Sequence, residues 1–344
     1  MPCEILFITR TWHGTGGMQR LSRDLWRAMS EWKEDRAALC IPHSSGRCAL
    51  IPFALRAMWY GWRTLRHGGT VHLGDASLSI LIPLLRFTKR GRITITACGL
   101  DVIYTDRFYQ WMIHRTLPRA DCVCPISRAT ANEVQKRGVA ASKLVVIPCG
   151  IREAPLSVPE HAPENVTLLT IGRLIPRKGV TWFLSEVLPP LLRRNHAIHY
   201  CIVGSGDQEL LIKKFIQEKG LQDDVSLHSQ CSDSERNELL KRATLCVIPN
   251  ISVSDDMEGF GIVCIEASAS GVPVVAARIE GLKDAVIENE TGLFFESGNV
   301  DGCIRAIERM ITSPPDRSAV ARATLKHFHW SVLFPRYIHE VFTA

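Results

Sequence analysis

Apolar runs short enough to be strands alternate with helix-period patterns along the whole chain, and glycines punctuate the strand ends. A strand that is apolar on both faces must be covered on both, so this alternation demands parallel sheets wrapped by helices. The pattern breaks once, at residues 151–163, where Pro155, Pro159 and Pro163 cannot continue either kind of element. Before the break, strands are expected at 4–9, 37–41, 70–73, 92–97, 122–126 and 143–147, with a loop at 10–17 and a helix at 18–30 following the first. After it, strands are expected at 165–171, at 199–203 and near Val225, Leu245 and Pro273, with helices at 181–188 and 208–219. A length of 344 residues suits two domains of ordinary size. The expected architecture is α/β: two Rossmann-like doubly wound domains, 1–152 and 153–325, facing a central cleft, with 326–344 as a C-terminal helix packing back toward the first.

Composition excludes several classes. With 46% hydrophobic and 22% charged residues and no low-complexity tract, the chain reads as folded throughout. Its longest strongly apolar run, residues 78–85, is far short of the roughly 20 residues a membrane-spanning helix needs, so none is expected. The first residues, Met1-Pro2-Cys3-Glu4-Ile5, enter a strand pattern without the basic start and cleavage site of a signal peptide, and a cytoplasmic location is expected. Twelve cysteines without a Cys-x-x-Cys pair read as reduced thiols.

The net charge of +6 conceals an asymmetry. Residues 1–152 hold 22 Lys and Arg against 10 Asp and Glu, so that half carries +12 and the remainder −6. The basic half calls for an acidic partner: a phosphate-bearing acceptor, an anionic membrane surface or nucleic acid. Between residues 51 and 67, Phe53, Met58, Trp59, Tyr60 and Trp62 are interleaved with Arg56, Arg63 and Arg66, and residues 78–92 add a second apolar and basic element. This mixture suits either peripheral attachment to a membrane or a core helix edged by arginines.

In the second half, Glu258 and Glu266 stand eight residues apart around Gly259-Phe260-Gly261, a turn that opens an apolar helix. Glycines let backbone N–H groups approach a ligand closely, and a helix start favours phosphate. Glu258, before the helix, can face a sugar ring, while Glu266, within it, reaches a ribose; taken alone, the same spacing equally suits a solvated helix start. This segment and the following Ala267-Ser268-Ala269-Ser270-Gly271-Val272-Pro273 resemble the signature of the retaining glycosyltransferases of family four, which have the GT-B fold. Similar matches occur at Gly16-Gly17, Gly99-Leu100-Asp101-Val102, Ile147-Pro148-Cys149-Gly150, Gly172-Arg173-Leu174 with Lys178-Gly179, and Val203-Gly204-Ser205-Gly206.

The resemblance implies a retaining, metal-independent transfer of a hexose from a UDP- or GDP-sugar to a cell-envelope acceptor, lipid-linked or polysaccharide. It implies no cofactor beyond the donor substrate and no metal, while the aromatic and arginine stretch leaves open a peripheral position at the inner face of the cell membrane. Nucleic acid is disfavoured as a partner. Arg173 and Lys178 would contact the diphosphate, Glu258 the hexose hydroxyls and Glu266 the ribose. Phe260, Gly261 and Ile262 would offer backbone to sugar and phosphates, and Gly16 and Gly17 would close on the donor. Relatives often carry His where this chain has Cys98, beside Asp101; a thiol is a weak donor, so Cys98 and Asp101 are candidate active-site positions of altered chemistry. Relatives also commonly have glycine where this chain has Ser229, near the base. Asp255-Asp256 resembles a metal-binding pair but is not read as one, and Gly204-x-Gly206 is a poor dinucleotide fingerprint because Glu209 stands at the third glycine position. Two alternatives stand beside the transferase: an epimerase or phosphorylase on a similar frame, and a non-catalytic sugar-nucleotide or nucleic-acid binding protein.

Overall fold

The computed structural model describes residues 5–10, 12–14, 16–32, 38–42, 50–88, 90–152, 166–194 and 198–343. Most of the proline-rich break, 153–163, lies outside them. The chain forms two compact units: Met1–Arg152 with Phe328–Ala344, and Glu153–His327.

In the first unit, β1 (Ile5–Thr9), β2 (Ala38–Pro42), β3 (Thr70–Leu73), β4 (Arg92–Ala97) and β5 (Cys122–Pro125) form a parallel sheet in the order β2-β1-β3-β4-β5. Leu6, Ile8, Val71, Leu73, Ile93, Ile95 and Val123 of these strands meet Phe53, Ala57 and Leu65 of the helix Leu50–Arg66 in one core. Residues 143–147, expected as a strand, make an isolated bridge from Leu144 to Val123. The segment still runs along β5, with Val145 N–H donating to Val123 O and Ile147 N–H to Pro125 O, but Pro148 ends the ladder before it can extend.

The end of the chain completes this unit. The helix Arg317–Phe328 stops, His329 caps the next helix through Ser331 N–H, and Trp330–Arg336 passes into a π-helical turn, Tyr337–Phe342. Thr70 Oγ1 donates to Phe342 O (2.9 Å) and Arg92 Nε to Val341 O (3.0 Å), fixing the turn on β3 and β4. His72 is buried between Thr94 Oγ1 and Thr96 Oγ1 with its pKa lowered to about 3 by burial, so it is a neutral core residue.

In the second unit, β6 (Val166–Ile171), β7 (Ile198–Val203), β8 (Val225–His228), β9 (Leu245–Ile248), β10 (Val274–Ala277) and β11 (Gly292–Phe295) lie parallel in the order β11-β10-β9-β6-β7-β8. The helix expected at 181–188 extends through Pro189 and Pro190 to Arg194. A π-turn, Phe183–Val187, precedes the prolines and supplies the wider winding their rings require.

Both sheets reverse their direction of growth once. In the first unit the reversal falls between β1 and β3, and in the second between β6 and β9. Ligands of doubly wound sheets bind outside the carboxyl ends of the strands at such a switch point.

Candidate active site

The loops after β6 and β9 meet at the switch point of the second unit. Lys178 Nζ lies 2.5 Å and Arg177 Nη1 2.6 Å from Glu258 Oε2, to which Asn250 Nδ2 also donates at 2.9 Å. Burial acts to raise the Glu258 pKa, but the charges of Lys178 and Arg177, with hydrogen bonds from Lys178 and Asn250, outweigh it and hold the carboxyl down at about 2. Glu258 is therefore an ionised, buried acceptor. Its backbone is clamped as well: its N–H donates to Glu280 Oε2 and its carbonyl accepts from Gly281 N–H at 3.0 Å. Glu280 holds φ at 43°, a left-handed conformation that a non-glycine side chain resists, so tertiary contacts impose this geometry.

Gly179 explains how the two loops come so close. It takes φ +66°, and a Cβ there would meet Pro249 O at 1.8 Å, so any other residue would push the β9 loop away. Asp256, half of the sequence's acidic pair, is bound by Arg177 Nε at 3.0 Å, while Asp255 is exposed. Among the described residues no group of three His, Cys, Asp or Glu is placed to hold a metal ion.

Gly261 (φ +89°) is the N-cap of the helix Ile262–Ala269; no side chain caps that end and no acidic residue occupies its first turn. Phe260, Gly261 and Ile262 thus sit at a helix start with an uncompensated dipole. Glu266, one turn on, is buried, with Arg236 Nη1 3.4 Å from its Oε2. Arg236 belongs to the helix Asp233–Arg242, whose start is fixed by a Ser232–Glu235 capping box. Arg173, two residues past β6, is exposed. Of the two cations the sequence singles out, Lys178 is drawn to Glu258 and Arg173 is not.

The switch point of the first unit carries different chemistry. Gly16 is the N-cap of the helix Gly17–Glu31, again without a side-chain cap or an acidic first turn. After β3, Asp75 is fully buried, accepts from Ser77 and has Arg10 Nε at 3.4 Å; burial raises its pKa. Asp101, after β4, accepts from Ala76 N–H and Cys98 N–H, both at 2.9 Å. Burial, then the neighbouring Asp75 charge, raises its pKa to about 6 against the pull of those hydrogen bonds. Cys98 is buried, and burial followed by the Asp101 charge pushes its thiol well above the usual range. Asp101 staples two loops together, and Cys98 is held in its normal thiol form beside it.

Sequence reasoning missed Arg177, Asn250, Glu280, Arg10 and Asp75. Arg177 and Lys178 are adjacent in sequence, and nothing in that dipeptide tells which is buried. Asn250 and Asp75 each follow a strand end by two residues, a placement that could have marked them.

The family profile "Glycosyl transferases group 1" matches residues 155–327, and "Glycosyltransferase Family 4" matches residues 7–154. The chain is 27% identical over 256 residues to the GDP-mannose-dependent alpha-(1-6)-phosphatidylinositol monomannoside mannosyltransferase of Mycobacterium tuberculosis, covering 70% of this chain and 66% of that one. It is 27% identical over 208 residues to the putative colanic acid biosynthesis glycosyltransferase WcaL of Escherichia coli, covering 59% and 51%. The chain thus spans less than two thirds of the length of these relatives. The crystal structure of Anabaena HepE in complex with UDP superposes with a TM-score of 0.75 at 16% identity, covering 98% of this chain and 99% of that one. The lipopolysaccharide outer core galactosyltransferase WaaB, in its apo form, superposes at 0.71 with 16% identity, covering 98% and 99%.

Proposed function

The chain belongs to the family-four glycosyltransferases and has their GT-B fold of two Rossmann-like domains, and on that premise we propose that it moves a hexose, with retention of configuration, from a UDP- or GDP-sugar to a cell-envelope acceptor. The acceptor is lipid-linked or a polysaccharide, held at the inner face of the cell membrane. The mycobacterial and E. coli relatives support this acceptor class by what their names say they act on or build.

The ionised Glu258 at the switch point carries the proposal. An anionic acceptor fixed by three donors, beside an uncapped helix start, suits a sugar's neutral hydroxyls on one side and a diphosphate on the other. Arg173 supplies a free guanidinium fork for the departing diphosphate, and Lys178 shares its protons between Glu258 and the phosphates. These fixed charges take the part a metal plays elsewhere, and no cofactor is proposed. Glu266 accepts from the ribose, and Phe260, Gly261 and Ile262 offer their backbone to the donor. Gly16 and Gly17 form a second phosphate-facing turn. The departing phosphate helps to deprotonate the acceptor hydroxyl on the same face.

A panel of UDP- and GDP-sugars, scored by thermal shift and then by transfer with the anomer assigned by NMR, tests the proposal. Glu266→Ala is expected to weaken donor binding by roughly 1.5–3 kcal/mol, more than tenfold, as the ribose loses a charge-assisted bond. Arg173→Ala is expected to depress turnover more than donor affinity. Donor consumed without a transfer product, or an inverted anomer, defeats the proposal.

A further inference from the structure

Among the described residues, eleven of the fourteen exposed large hydrophobic side chains fall between Leu50 and Trp111. Nine of them lie on elements that pack against one another, the helix Leu50–Arg66, the segments Ala76–Leu81 and Ile82–Leu85, and the helix Arg107–Thr116, and Phe87 and Tyr104 lie between these elements in the chain. The first helix carries two apolar stripes. Phe53, Ala57, Gly61 and Leu65 recur at helical spacing and are buried. On the opposite side Ile51, Leu55, Trp59 and Trp62 recur at the same spacing and are exposed, Ile51 by 73%, with Arg56, Arg63 and Arg66 among them. A helix at the surface of a soluble protein needs only the first stripe.

The outer stripe continues onto the neighbouring elements. Trp62 Nε1 donates to Leu84 O at 3.0 Å, and Leu84 and Phe87 are both exposed, Phe87 by 79%. Trp62, Arg66, Phe87, Thr88 and Arg90 line a cavity of ≈ 520 Å³. On the next helix Phe108 and Trp111 are exposed and stacked at 5.7 Å. Guanidinium groups lie over the outward tryptophans, Arg63 over Trp59 and Arg115 over Trp111, each at 5.7 Å. Residues 50–116, which carry this face, hold nine Lys and Arg against three carboxylates, of which Asp75 and Asp101 are buried and Asp106 is exposed at the start of the second helix. A second copy of the chain would oppose arginines to arginines on this face, whereas a layer of lipid phosphates complements them.

We infer that this face is a docking surface for an anionic phospholipid membrane. Ile51, Leu55, Trp59, Phe87 and Trp111 enter the boundary between headgroups and acyl chains, and the arginines pair with lipid phosphates. The inference deepens the proposed function by seating the enzyme where a lipid-linked acceptor is held, and it rests on that reading only for its purpose, since binding is measured without turnover.

The test is sedimentation of the full chain with vesicles of phosphatidylcholine and of equimolar phosphatidylcholine and phosphatidylglycerol. The wild type is expected to pellet with the anionic vesicles alone and to be released as salt rises. Arg63→Ala and Arg66→Ala are each expected to weaken this by about fivefold. Trp59→Ser with Trp111→Ser is expected to abolish pelleting while the circular dichroism spectrum and donor binding stay at wild-type values. Equal behaviour with both vesicle types, or pelleting that survives all four substitutions, overturns the inference. So does a dimer, seen by light scattering, that the tryptophan substitutions dissolve. Transfer to a soluble acceptor that persists without vesicle binding defeats this inference alone, and vesicle binding without any transfer defeats only the transferase reading.

Discussion

The two switch points share a design and differ in their electrostatics. In the second unit, the carboxylate of Glu258 is ringed by Lys178, Arg177 and Asn250 and is held ionised. In the first, Asp75 and Asp101 are as deeply buried, yet their only ion-pair partner among the described residues is Arg10 on Asp75, whose side chain is half exposed, and their pKa values rise. The two sheets thus carry one site whose carboxylate is held firmly ionised and another whose carboxyls are harder to ionise. The fold supplies the place; the residues two to ten positions past each strand end decide the chemistry.

The largest expected effect breaks the second site. Arg177→Ala leaves Glu258 and Asp256 short of a buried partner and is expected to cost about 3–5 kcal/mol, whereas exposed Arg173→Ala is expected to stay within about 0.5 kcal/mol. Urea denaturation of both variants measures the contrast. Equal stabilities would show that the ring around Glu258 is not what holds its loop.

Acid sharpens the comparison, because the two units are expected to respond with opposite signs. Glu258 titrates at about 2 in the fold against 4.5 unfolded, so its contribution is present above pH 4.5 and lost as pH falls toward 2. Asp101 titrates at about 6 against 3.8, so the fold keeps a proton the unfolded chain has released, and stability falls as pH rises through that window, by an amount on the order of 3 kcal/mol. Hydrogen exchange resolved to each unit reads both trends. Asp101→Asn, though less stable at every pH because its amide would face a backbone N–H, is expected to remove the slope between those values. A slope that survives the substitution assigns it to Asp75 instead.

The smallest effect concerns Cys98. As a packed thiol it is expected to tolerate Ala with transfer near the wild-type rate, while the larger imidazole of Cys98→His overpacks the site at roughly 1–3 kcal/mol. Melting temperature and initial rate, measured together, decide it. A His variant that is stable and faster than wild type would give this position a role beside the reacting sugar.

Much of the fold was legible in the sequence. The apolar runs match strands β3 and β4 to the residue, and most of the others to within one or two, because a buried parallel strand must be apolar on both faces. β11 was not anticipated: its apolar run, Leu293 to Phe295, is too short to stand out, and its pairing with β10 depends on Gly292, where a Cβ would meet Val274 O at 2.1 Å. The helix that runs on through Pro189 and Pro190 is longer than its sequence suggests for a comparable reason, since local rules stop a helix at proline and only a π-turn carries it through.

By itself the sequence determined the class of fold, the family and the stretch that holds Glu258, Gly261 and Glu266, because apolar period and glycine spacing are local properties of a chain. Only the tertiary structure decided that Arg177, rather than Arg173, is buried against Glu258, that Glu280 clamps Glu258 from another loop, and that the tryptophans of Leu50–Arg66 face outward. Each of these depends on which of two chemically similar neighbours points inward or on residues far apart in sequence that meet where neighbouring elements pack. Burial and charge pairing are set by such meetings, which no residue encodes alone.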